Sequence, residues 1–155
     1  MTDAAQDSKQ PEFGMEKIYV KDLSLEIPHA PQIFLDRTSP QIDVQLHTQA
    51  NSIEESLYEV LVVTTVTAKL EEKVMFLIEA KQAGIFRLRN IPTQEVEQVL
   101  AVMCPNILFP YLREVVSDIA VRAGFAPVLL NPINFEMIYQ QHKRQAQVAS
   151  TETAH

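Results

Sequence analysis

"CPNILFPYLREVVSDIAVRAGF", Cys104 to Phe125, is the stretch whose reading decides the fold. Its second half has the spacing of an amphipathic helix. Leu108, Leu112, Val115, Ile119 and Ala123 follow one stripe, and Gly124 is placed to cap the end. Its first half carries Pro105 and Pro110. A proline inside a helix removes a backbone donor and crowds the carbonyl four residues back, at a cost of ~3 kcal/mol. The residue before a proline is also pushed out of the helical region. Pro105 is therefore expected to stop one helix, and Pro110 to sit in the first turn of the next, where amides lack intrahelical partners. The stretch predicts a long rod divided into two angled segments.

Upstream, the first segment opens after Pro92, with Thr93 as the expected N-cap, Glu95 and Glu97 in the first turn, and Val96, Val99, Leu100 and Met103 on one stripe. Downstream, the short "PVLLNP" leads to Asn134, the expected cap of a last helix, "FEMIYQQHKRQAQ", with the stripe Phe135, Ile138, Tyr139 and His142.

From Glu16 to Leu88 the period is that of strands. In "EKIYVKDLSLEI", Ile18 and Val20 share one parity and Leu23, Leu25 and Ile27 the other, so a bulge is expected near Lys21 and Asp22. Asp22, Ser24 and Glu26 then share the polar face. "PHAPQIFLDRTSP" is too long for a hairpin and should cross over the sheet, carrying Ile33 and Phe34. "QIDVQLHT" alternates, with Ile42, Val44 and Leu46 opposite Gln41, Asp43, Gln45 and His47. "LYEVLVVTTVTAKL" has the β-branched richness of a central strand, and Glu71-Glu72-Lys73 returns it as "VMFLIEAKQAGIFRL" in a long antiparallel hairpin. On the returning strand Phe76, Ile78 and Ala80 face one way. Met75, Leu77, Glu79 and Lys81 face the other, mixing apolar and charged residues.

At 155 residues, 46% hydrophobic and 21% charged, the chain suits one domain with one core. Residues 1–14 and 145–155 hold little to bury and are expected to be flexible tails around a domain spanning 15–144. Thirteen basic against twenty acidic side chains give a net charge of −7, which argues against nucleic acid and suits a partner with a basic surface. Without a charged start and apolar h-region, or an apolar run near 18 residues, neither a signal peptide nor a membrane span is expected. The lone Cys104 cannot close an internal disulfide, so a reducing cytosol fits.

Three glycines cannot build a glycine-rich phosphate loop. His29, His47, His142 and His155 lie in unrelated elements without metal-ligand spacing, Cys104 reads as a small buried hydrophobe, and no serine or carboxylate has a catalytic context. No enzyme, cofactor or metal is expected. Two apolar helical segments beside only four strands leave more apolar surface than one globule covers, which favours an oligomer with the broken helix as its interface.

Five blocks in order, "IYVKDLSLEIPHAP", "YEVLVVTTVTA", "QAGIF", "CPNILFPYLRE" and "LNPINFEMIY", resemble the SecB protein-export chaperones over residues 13 to 145. The resemblance implies an ATP-independent holdase that binds unfolded precursor proteins in the bacterial cytoplasm and passes them to the SecA translocation ATPase. It implies an α+β fold, a four-stranded antiparallel sheet with the proline-broken helix and a C-terminal helix packed on one side, assembled as a dimer of dimers. Carried over residue by residue, the SecA-binding surface falls on Asp22, Glu26, Leu77 and Glu79. The client groove falls on Ile33, Phe34, Ile42, Val44, Leu46 and Tyr139, and the interface between dimers on Leu108, Leu112, Val115 and Ile119. The chain departs from the family in lacking a crossover tryptophan, in Ala83 for the first glycine of "GGIF", and in a less acidic tail. A chaperone dedicated to a toxin–antitoxin pair, and a small-molecule-binding α+β domain, remain as alternatives.

Overall fold

The structure is a computed structural model that describes residues 10–153; the expected tail residues 1–9 and 154–155 lie outside the described residues. Strands β1 (Glu12–Glu26), β2 (Gln41–Glu54), β3 (Leu57–Leu70) and β4 (Lys73–Arg89) form one antiparallel sheet in the order β1-β4-β3-β2. The crossover therefore carries the chain from one edge to the other. Its 3-10 turn Gln32–Leu35 sets Ile33 into the core, while Phe34 stays half out, its ring 5.1 Å from that of Phe125. β3 is buried on both faces from Val60 to Val63, as a central strand must be.

Two bulges, at Glu16 and Lys21, keep the apolar side chains of β1 on one face. Phe13 and Met15, then Ile18 and Val20, then Leu23 and Leu25 pair with Leu88, Phe86, Gly84, Gln82, Ala80 and Ile78. The expected bulge is the second of these. β1 also starts earlier than expected, at Glu12 rather than after Gly14. Phe13 stacks on Phe86 at 5.8 Å and Glu16 pairs with Arg87 at 2.6 Å, so these residues do have partners.

The prolines do not break the rod. Helix runs from Thr93 to Arg122, as α1 (Thr93–Gln98), a π segment (Val99–Met103) and α2 (Cys104–Arg122). Cys104 keeps helical angles (φ −64°, ψ −47°) although a proline follows, and its N–H donates to Val99, five residues back. The wider π turn makes room for the Pro105 ring and removes the need for its missing donor. Pro110 lies inside α2, where the acceptor it leaves idle belongs to the exposed Asn106 and can face water. Thr93 is the first helical residue and not the N-cap; the Pro92 carbonyl accepts from Glu95 and Val96 instead. The join also makes Thr93–Arg122 long and apolar enough, by length and composition, to cross a membrane, against the expectation that nothing would. Here its stripe is spent on the sheet. At the far end Gly124 (φ +92°) donates to Val121 and Phe125 to Ala120, the paired bonds of a Schellman cap.

α2 lies over β4 and β3, with Cys104, Leu108, Leu112, Val116 and Ala120 fully buried against the sheet. Gly84 makes this approach possible: a Cβ there would stand 2.9 Å from Leu108 Cδ2 and 2.8 Å from Phe86 Cε2. α3 (Phe135–Thr153) starts at Asn134, whose Oδ1 accepts from the Met137 amide at 3.0 Å. It buries Phe135 and Tyr139, leaving Ile138 and His142 exposed, and runs on to Thr153, beyond the expected helix end at Gln147 and into the expected tail from 145. "QAQVASTET" buries nothing, but it contains no proline or glycine to stop a helix, and Ser150, Thr151 and Thr153 bond back to carbonyls three or four residues earlier.

The Gly84 contact yields a stability prediction. Gly84→Ala should lower the unfolding free energy by about 1–3 kcal/mol, the range for overpacking a core. Urea denaturation checks it, and an unchanged midpoint would mean that Leu108 does not press on this strand.

Candidate functional site: two faces of one sheet

A helix about 10 Å across covers roughly two strands spaced about 4.8 Å apart. With α2 over β4 and β3, the helix-side face of the edge strand β2 is only partly covered: Leu46 packs against the core, while Ile42 and Val44 nearer the start of the strand stay half exposed. Ile42 is 48% exposed and Val44 42%, and with Leu46 they form one wall of a cavity of about 430 Å³. Phe109 of α2 also lines it, and the opposite wall is the extended link between α2 and α3, from Pro127 to Ile133. In that link Val128 and Leu130 point into the core and Leu129, 74% exposed, points out.

Of the expected groove residues, Ile42, Val44 and Leu46 come together. Three do not join them. Ile33 is core, Phe34 stacks on Phe125 beside Gly124, and Tyr139 is nearly buried in a second cavity of about 270 Å³ with Phe135, Ile138 and His142. The second wall was missed in the sequence because "PVLLNP" is too short between its prolines to show a period. Its in-out-in alternation of Val128, Leu129 and Leu130 is the signal that could have found it. A larger hollow of about 530 Å³ at the sheet end, between the crossover and the β3–β4 turn, is lined mainly by polar and charged residues of both signs, among them Asp36, Lys69, Glu71, Glu72 and Lys73.

The other face of the sheet carries the four residues of the expected SecA-binding surface, with Lys81 among them. Asp22, Ser24 and Glu26 of β1 stand opposite Lys81, Glu79 and Leu77 of β4, so Asp22, Glu26, Leu77 and Glu79 form one patch. The row through Glu26 and Leu77 continues across Thr67 to Asp43, a further carboxylate that the alternation of β2 had already placed on its polar face. Beside the patch, over the small Ala83, the Tyr19 hydroxyl donates to the Glu59 carboxylate, and Lys21 Nζ lies 2.8 Å from the same group. Lys21 is thus engaged by Glu59 next to Asp22. Its ammonium and the tyrosine hydroxyl hold the Glu59 carboxyl below its ordinary 4.5. Burial, then the Glu59 contact, pushes Tyr19 up to about 12.

The expected interface residues divide. Leu108 and Leu112 are fully buried against the chain's own sheet and cannot meet a second copy, while Val115 and Ile119 lie half-buried at the margin. Outward-facing apolar groups on this rod are Met103, Tyr111 and Val121. Cys104 is fully buried and burial pushes its thiol up to about 12, so it is no thiolate nucleophile at neutral pH.

The depressed Glu59 carboxyl contributes stability above pH 4.5 and loses it as pH falls through the lower folded value. Glu59→Gln should therefore flatten the acid limb of the Tm against pH curve below 4.5, relative to the parent. Parallel acid limbs for the two proteins would contradict the pairing.

A family model described as "Preprotein translocase subunit SecB" matches residues 6–146. A protein of Nitrosomonas eutropha named "Protein-export protein SecB" is 64% identical over 143 residues, covering 91% of this chain and 89% of that protein. Its namesake in Methylobacillus flagellatus is 54% identical over 152 residues, covering 98% and 97%. Among solved structures, a SecB-like chaperone of Mycobacterium tuberculosis in complex with a ChAD peptide from the HigA1 antitoxin superposes with a TM-score of 0.65, covering 79% of this chain and 91% of that one. At 16% identity that likeness speaks to the fold.

Proposed function

The chain belongs to the SecB family, and from that premise we propose that the bare flank of β2 is where it captures unfolded precursor proteins, without nucleotide, for delivery to SecA. The observation that carries this reading is the apolar wall of Ile42, Val44 and Leu46 on an edge strand, its first two members half exposed and the whole faced by a second apolar wall. A holdase must accept many sequences. Burial of apolar surface is non-directional, and an edge strand offers backbone groups to any extended chain, so neither demands a particular client. Each large client side chain fully removed from water contributes roughly 1.5–3 kcal/mol before the ordering cost is subtracted, so affinity accumulates with length. Long unfolded chains are held and short peptides let go.

The acidic patch of Asp22, Glu26, Leu77 and Glu79 lies on the opposite face, which would let SecA dock while the client stays bound. General export is favoured over a dedicated toxin–antitoxin role by the export name carried by relatives 64% and 54% identical. The site of action is the bacterial cytosol. The assembly is a tetramer in which copies cover Tyr111 and Val121 of the rod and the bare apolar flank of β1, Met15, Val20 and Leu23.

The two faces should separate under mutation. Ile42→Ser, Val44→Ser and Leu129→Ser together should abolish most suppression of precursor aggregation and leave SecA affinity unchanged. Asp22→Lys, Glu26→Lys and Glu79→Lys together should do the reverse, with an association that weakens as salt is added to the parent. Aggregation assays and titration calorimetry check both, and a parent that fails to suppress aggregation of several precursors would sink the holdase reading. Sedimentation tests the assembly: a parent that runs as a 17.6 kDa monomer at micromolar concentration contradicts the tetramer.

A further inference from the structure

Resting on the reading of the β2 flank as the client groove, we infer that Arg113 is a positioning residue that sets the width of that groove. The wall opposite β2 has no regular structure of its own. Pro127 and Pro132 lack donors, and among the described residues no backbone–backbone hydrogen bond reaches residues 126–133. The hydrogen bond that does reach this segment comes from a side chain: the Arg113 Nε–H donates to the Leu130 carbonyl at 2.9 Å. Leu130 itself lines the groove, between the exposed Leu129 and the following Asn131.

The other end of the clamp is equally specific. The Arg113 guanidinium carbon lies 4.8 Å from the centroid of Phe109, one helical turn back on α2. Phe109 lines the groove between the two walls and is itself held edge-on by Phe135 at 5.9 Å. One cation therefore sits over a groove-lining ring and at the same time donates a hydrogen bond to the opposite wall. A charged donor to a neutral carbonyl makes a stronger bond than a neutral pair. Lysine does not copy the arrangement, because its single mobile ammonium lacks the rigid fork by which one guanidinium sits over the ring while its Nε–H stays aimed at the carbonyl.

Without the clamp the link keeps Val128 and Leu130 as apolar anchors but loses the bond that fixes its distance from β2. The consequence is for recognition more than for folding. A groove of fixed width discriminates among client side chains by size, and a groove with a loose wall does so less.

The test uses the full chain and the variants Arg113→Met, which keeps the stem and removes the donor, and Arg113→Lys. Methyl relaxation is read at Val128 and Leu130 in the wall and at Val116 in the core. Binding is read with two unfolded model chains that differ in carrying leucine or tryptophan at the same alternate positions. The expected result is lower methyl order at Val128 and Leu130 with Val116 unchanged, capture weakened by about tenfold, the scale of one lost bond to a charged group, and a leucine-to-tryptophan affinity ratio moved toward one. SecA affinity should not change. Arg113→Lys should behave like Arg113→Met, and it answers the same question if the methionine variant does not fold. Unchanged methyl order would overturn the clamp, and changed order with an unchanged affinity ratio would overturn its role in recognition. A parent that binds neither chain contradicts the groove assignment instead, while the methyl measurement still reports on the clamp.

Discussion

Leu108 resting on Gly84 is the contact on which the rest of the structure depends. A Cβ at position 84 would stand within 2.9 Å of that leucine, so the absence of a side chain is what brings α2 down onto the sheet. Its place over β4 and β3 follows, and so does the limit of what it covers. One helix spans about two strands, and the sheet has four. The helix-side flanks of both edge strands are left with apolar side chains only half covered by their own chain, Met15, Val20 and Leu23 on one side and Ile42 and Val44 on the other.

In most small domains such flanks would be a liability, because an open edge beside apolar side chains recruits other chains. Here the two flanks differ in what stands beside them. The β2 flank faces the Pro127–Ile133 link across a cavity of about 430 Å³, which gives it depth and a second wall. The β1 flank has no such cavity lined by its residues among the described hollows. A groove suits an extended, variable client and an open flank suits a second folded copy, so in the proposed function one deficit of cover would serve both capture and assembly. Charge completes the division. The opposite face carries Asp22, Glu26, Glu79 and Asp43, with Lys81 opposite Asp22 and Lys21 engaged by Glu59, so the proposed charge-reading partner and the proposed client would not compete.

Much of this was legible in the sequence where a single periodicity governs. The parity change at Lys21 gave away a bulge, and the single parity shared by the apolar Leu77 and the charged Glu79 put both on the sheet face with Ser24 and Glu26. The bulge at Glu16 was hidden because only Phe13 and Met15 precede it, too few residues to show a phase. The prolines were misread because the rules for an α-helix do not allow for a π turn, which at Val99–Met103 absorbs Pro105 without ending the rod. Leu108 and Leu112 were assigned to an interface because an apolar stripe does not say whether it faces its own sheet or another copy; Gly84, which settles it, lies on a different element. The helix through Thr153 was missed by reading burial alone, since that stretch is held by propensity and local bonds. The Arg113 clamp joins a turn of α2 to a link seventeen residues on, and no spacing rule connects them.

Which face of the sheet holds an unfolded chain is directly measurable. A photo-cross-linking side chain placed at Leu129, in the groove wall, and separately at Thr65, on the opposite face beside Glu79, reports this directly in the presence of an unfolded precursor. Adducts with the precursor from position 129 and none from position 65 are the result expected. Adducts from position 65 alone would contradict the account, and would move client capture to the face assigned here to SecA.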